Sequence, residues 1–98
     1  MDSELLEKYA EALFLRQNQA SSTLMLISEE ELAVSDYITL LEAEQEMHTA
    51  CQSLNEYATM ISDNLNPGIL LRNKVYRSLD ECDSATQNLE ILLEQTNL

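Results

Sequence analysis

The residues of this chain whose types and spacing could do chemistry gather around a single histidine. His48 and Cys51 stand at helical positions i and i+3 within EMHTACQSL, residues 46–54, and Cys82 is the second of two cysteines. Glu44 lies one turn before His48, and Asp83 is adjacent to Cys82. Thiolate, imidazole and carboxylate are the ligands zinc prefers, so a Cys-Cys-His-carboxylate centre is the first chemistry to test. The paired spacing of zinc sites, such as Cys-x-x-Cys, is absent, and the ligands would have to come from two helices. Two cysteines packed as small buried hydrophobes, with a histidine at the edge of their seam, account for the same residues. On this reading the chain holds no metal and no cofactor, and the alternative for the cysteines is a reversible disulfide.

Catalysis by a nucleophile has no support. There is no Gly-x-Ser-x-Gly, no glycine loop for phosphate and no second histidine. A lone histidine on an acidic helix invites comparison with histidine phosphotransfer domains, which carry a lysine and a glycine shortly after it. Here Thr49, Ala50, Cys51 and Gln52 follow instead. Tyr76-Arg77-Ser78-Leu79-Asp80 matches the Tyr-x-x-x-Asp signal of small secreted proteins of the Trp-x-Gly class, but the chain has no tryptophan and its turn reads Asn-Pro-Gly. Neither family is carried over. The chain reads as a non-enzyme.

The elements that would position these residues follow from composition. The 98 residues fit one domain, 1–98, and 45% of them are hydrophobic. Glycine and proline occur once each, at Pro67-Gly68, and the good helix formers Leu, Glu, Ala, Gln and Met dominate, which predicts an all-α fold. Asn66-Pro67 marks a turn in which Asn66 caps a helix and Pro67 takes its first position, while Asp63 and Asn64 end the helix before. A second boundary falls within residues 26–36, where Ser28 and Glu31 form a Ser-x-x-Glu capping box and Ser35-Asp36 offers a later start. Asp2 or Ser3 caps the first helix.

Heptad stepping then defines three stripes. The first is Leu6, Ala10, Leu13, Gln17, Ala20, Leu24 and Ile27. The second is Tyr37, Leu40, Glu44, Met47, Cys51, Leu54, Ala58, Ile61 and Leu65. The third is Arg72, Val75, Leu79, Cys82, Thr86, Leu89, Leu93 and Thr96. Folding at Asn66-Pro67 pairs residues whose numbers sum to 133, which brings Cys51 opposite Cys82. For the first helix, sums of 57 and 64 both align its stripe with the second. The expected architecture is an antiparallel three-helix bundle, with helices over about 3–27, 29–63 and 67–96 and the last two forming a long hairpin. If the first two helices run continuously, their stripes are buried only by self-association, in an elongated homodimer.

Eighteen acidic residues against five basic ones give a formal charge of −13. That charge repels phosphate backbones and anionic membranes, so neither nucleic acid nor membrane is an expected partner. The N-terminus carries acids where a signal peptide has bases, no apolar run spans a bilayer, and two cysteines make no secreted framework; together these point to a soluble, cytoplasmic protein. Apolar residues beyond the stripes cluster beside the turns. Met25, Leu26, Ile69, Leu70 and Leu71, steered by Glu29, Glu30, Glu31, Asp80, Glu81 and Asp83, form the expected partner-binding set. The function this implies is an acidic helical adaptor or holding chaperone that packs a basic or amphipathic helix of another protein in an apolar groove. The alternatives are an acidic inhibitor, of immunity, antitoxin-like or nucleic-acid-mimicking type, and a structural coiled-coil subunit.

Overall fold

In the computed structural model, which describes residues 3–27 and 29–96, four helices pack together and no strand occurs among the described residues. Helix α1 spans Ser3–Met25, a single 3-10 turn covers Glu29–Glu31, α2 runs Val34–Ala50, α3 Gln52–Ser62 and α4 Gly68–Thr96. The expected helix over 29–63 is therefore corrected to a 3-10 turn and two helices. The second break falls at Cys51, whose φ of −97° and ψ of 10° leave helical values although its N–H still donates to Met47 O at 2.9 Å. Residues 26–33 separate α1 from α2, and α1 packs on α4 and α3, so the single continuous helix that would demand a dimer is overturned.

The first stripe forms as expected, with Leu6, Ala10, Leu13, Gln17, Ala20 and Leu24 all buried. On α4, Val75, Leu79, Cys82, Thr86, Leu89 and Leu93 are buried, and Leu71 takes the place expected for Arg72. The middle stripe is the one that differs. Its buried members are Leu40, Ala43, Met47, Cys51, Leu54 and Tyr57, while Ile61 and Leu65 are exposed. Ala43 and Tyr57 replace Glu44 and Ala58, because a helix with 3.6 residues per turn drifts from a strict heptad and this one is interrupted at Cys51.

Cys51 and Cys82 are joined by a disulfide with their Cα atoms 4.7 Å apart, which fixes the α2–α4 register on the sum of 133. Both cysteines are fully buried, and the Thr86 hydroxyl beside them donates to the Cys82 carbonyl at 2.8 Å. Reading them as thiols is corrected: the seam that brings Leu54 to Leu79 brings these two sulfurs within bonding range as well. Helix α1 obeys neither 57 nor 64. Buried Gln17 exchanges two hydrogen bonds with Asn55, donating at 2.7 Å and accepting at 3.1 Å, and their numbers sum to 72. Ala10 and Phe14 likewise face Tyr57, Ala58 and Ile61. The next member of the series in sevens, 71, describes this register. Helix α1 meets α3 more than α2.

The two turns are built differently. At the end of α3, Asn64 adopts a φ of 60°, its N–H donates to Ile61 O at 3.1 Å, and the Leu65 N–H reaches Met60 O at 2.8 Å. This is a Schellman closure with asparagine at the left-handed position. The Asn66 side chain then accepts from the Gly68 N–H at 3.1 Å, and Gly68 takes a φ of 76°. Pro67 therefore precedes the helix instead of opening it. At the other turn Ala33 is the N-cap of α2 and supplies no side-chain hydrogen bond. Ser35 and Asp36 lie inside the first turn of α2, not before it. The caps expected of Asp2 and Ser28 lie outside the described residues. No helix among the described residues is long and apolar enough to cross a membrane.

Candidate partner-binding site

Helix α1 is fastened to α4 by a polar clasp on one side of the molecule. The Arg16 guanidinium donates to Asp83 Oδ1 at 2.9 Å and to Glu90 Oε1 at 2.8 Å, and the Tyr9 hydroxyl donates to Asp83 Oδ2 at 2.9 Å. Burial pushes the Asp83 carboxyl up, but the hydrogen bonds from Tyr9 and Arg16 and the arginine charge outweigh it and hold Asp83 below its ordinary value. The bond to Asp83 likewise raises the Tyr9 hydroxyl, and the bond to Glu90 strengthens the hold of Arg16 on its proton. Asp83, expected to steer a partner, is thus engaged inside the molecule. This clasp is not among the contacts expected from the sequence, although Arg16 and the acids at 83 and 90, two turns apart on one face of α4, are its visible signal.

The remaining expected residues divide between the two ends. At the turn end, Ile69 and Leu70 are 73% and 78% exposed, whereas Leu71 is only 8% exposed and belongs to the core, a correction to the expected set. Three consecutive helical residues face three directions 100° apart, so one of them had to meet the seam. A hollow of about 620 Å3 lies beside this patch, between Leu6, Ile69, Arg72 and Tyr76. Arg72 also stacks 5.8 Å from the centre of the Tyr57 ring. Lys74 and Arg77 follow on the same helix. Asp80 and Glu81 are exposed near the middle of α4, remote in sequence from either apolar cluster.

At the opposite end, Met25 and Leu26 are 82% and 84% exposed, and Val34, Ile38, Leu41 and Ile91 add further uncovered apolar surface. Ile27 and Leu32 of the link pack against the core. A cleft of about 840 Å3 remains between the C-terminal halves of α1 and α4. It is walled by Ala20, Thr23 and Leu26, by Leu32 of the link, and by Ile91 and Glu94. Glu29, Glu30 and Glu31 form the 3-10 turn at its mouth, with Glu31 lining it. Between Arg16 and Arg72 the chain has no lysine or arginine, so acids predominate at this end.

His48 sits at the seam edge, exposed, with Nε2 3.9 Å from Glu44 Oε2. Its neighbour Cys51 is bonded to Cys82, so neither sulfur is a thiolate ligand, and among the described residues no three metal-binding side chains are grouped. The bond also removes the argument for a reducing compartment that rested on cysteine usage. Comparison with protein-family models, with curated proteins and with solved structures finds no match to this chain.

Proposed function

We propose that this chain is a non-enzymatic protein–protein interaction module, an acidic helical adaptor or holding chaperone that packs a partner helix against uncovered apolar surface. One observation carries the reading. Large apolar side chains are left more than 70% exposed at both ends of the molecule, beside hollows of several hundred Å3, although a well-filled core lies one turn away. Scattered exposed leucines need no explanation, but clusters rimmed by polar residues mark interaction sites. Helix-in-groove recognition uses anchors at i, i+3, i+4 and i+7, a spacing that paired helices present naturally.

The acidity favours a second reading, an inhibitor that blocks a basic surface chiefly by charge. Salt separates the two. Partner captured on the immobilised protein should stay bound through a wash at about 0.5 M salt, where charge is screened within a few Å, and should be lost from a variant carrying Leu26→Ser and Leu70→Ser. Release by salt with no response to those substitutions would assign the acidic-inhibitor role instead. The structural-subunit reading requires a stable self-assembly, which sedimentation measures. As for setting, disulfides persist in oxidising compartments, so a cytoplasmic site of action requires the buried Cys51–Cys82 bond to resist reduction there.

A further inference from the structure

We infer that the receiving surface is the acidic cleft between the C-terminal halves of α1 and α4, not the Ile69–Leu70 patch, and that its occupant is an amphipathic helix with a basic polar face. This rests on the reading of the chain as a helix-binding module and specifies where it binds and what.

The geometry of the walls comes first. Gln87, Glu90, Ile91 and Glu94 line the cleft at i, i+3, i+4 and i+7 of α4, Gln19 and Thr23 line it at i and i+4 of α1, and Leu26 lines it just past the end of α1. From Gln87 to Thr96 the wall is about 14 Å long, two and a half turns, which matches the length over which a guest helix presents three successive anchors. Leu26 and Ile91, 84% and 45% exposed, stand on opposite walls and offer apolar contact to those anchors.

Charge then chooses the guest. No lysine or arginine lines this cleft. Glu90 is paired with Arg16, which also holds Asp83, so Glu31 and Glu94 are the lining carboxylates left to meet the guest's polar face. A basic face satisfies them. A second copy of this chain does not, because it brings a formal charge of −13 against −13 and sets acid against acid at this end. The turn end differs in kind: Arg72, Lys74 and Arg77 follow Ile69 and Leu70 on α4. Arg72 is paired with Glu7 and Lys8 with Glu4, so Lys74 and Arg77 are the cations left for a basic helix to meet there.

The test uses the full chain and a synthetic amphipathic helix of leucine and lysine, about four turns long, with a leucine–glutamate version as control. Titration calorimetry should show binding of the lysine peptide only. Leu26→Ser with Ile91→Ser should weaken it about tenfold or more, and Glu31→Gln with Glu94→Gln should reduce both affinity and its salt dependence. Ile69→Ser with Leu70→Ser should leave it unchanged, with helix content checked for every variant. Loss of binding through Ile69 and Leu70 instead would overturn the location and leave the module reading standing. Equal binding of the two peptides would overturn the charge selection. Binding that ignores every apolar substitution would sink both the inference and the reading beneath it, and a dimer dissolved by Leu26→Ser would show that a second copy covers the cleft.

Discussion

The two ends of this molecule solve the same problem, reversing a helix, in opposite ways. At the Asn66–Gly68 end, two residues in the left-handed region, Asn64 and Gly68, and the Asn66 side chain close the backbone within a few residues. At the other end α2 starts from an alanine cap after a link of residues 26–33 that separates it from α1. The first end is specified locally by turn chemistry. The second is specified by tertiary contacts, and what it leaves uncovered is an apolar, acidic cleft. The lesson is that turn chemistry closes the backbone without covering the flanking side chains: Ile69 and Leu70 stay exposed beside the closed turn as Met25 and Leu26 do beside the longer link.

The largest test of this contrast is the disulfide, which ties α2 to α4 between the two ends. Closing a loop with a sequence separation of 31 is worth about 3–4 kcal/mol on the chain-entropy account. Reduction, or Cys51→Ser with Cys82→Ser, should lower urea stability by that order. Amide protection should fall further in Val34–Ala50, which lacks a closing turn, than in Gln52–Ser62, which has one. Next comes the neighbouring pair Leu70 and Leu71. Leu71→Ala should cost about 2–3 kcal/mol in urea unfolding, and Leu70→Ala less than about 0.5 kcal/mol. Equal costs would erase the distinction drawn between patch and core.

Two smaller substitutions should act with opposite signs at the two ends. Gly68→Ala places a Cβ in open space, yet it forces alanine to a φ of 76°, so thermal unfolding should show a loss of about 1 kcal/mol. Ala33→Asp supplies the missing cap of α2 and should add about 1 kcal/mol. The smallest effect concerns pH. The Asp83 carboxyl is held below its ordinary value in the fold, so its contribution is present above about pH 3.9, the unfolded value, and fades as pH falls through the lower folded value. Asp83→Asn should therefore lose less stability than the parent on acidification, with the general charge repulsion common to both proteins cancelling in the difference.

What the sequence makes legible follows the same division. The Asn66–Pro67 turn and the Cys51–Cys82 register are readable because asparagine, proline and a central symmetry in the heptads act locally. The stripe on α1 is readable for the same reason, down to its polar member Gln17. The α1 register is not, since heptads repeat every seven residues and the Gln17–Asn55 pair, distant in sequence, chooses among 57, 64 and 71. Ile61 and Leu65 continue the middle stripe on paper yet are exposed, because the interruption at Cys51 and the drift of a 3.6-residue period turn them away from the seam. Of the expected partner-binding set, Met25, Leu26, Ile69 and Leu70 are exposed, while Leu71 and Asp83 are held within the fold. Burial of the one and ion pairing of the other depend on neighbours that no local pattern names.

Chemical-shift mapping of the backbone amides during titration with the leucine–lysine helix tests the central claim most directly. The account predicts that the perturbed amides cluster in residues 19–32 and 87–96, with those of 66–76 unmoved. Perturbation centred on 66–76, with the cleft silent, would contradict it.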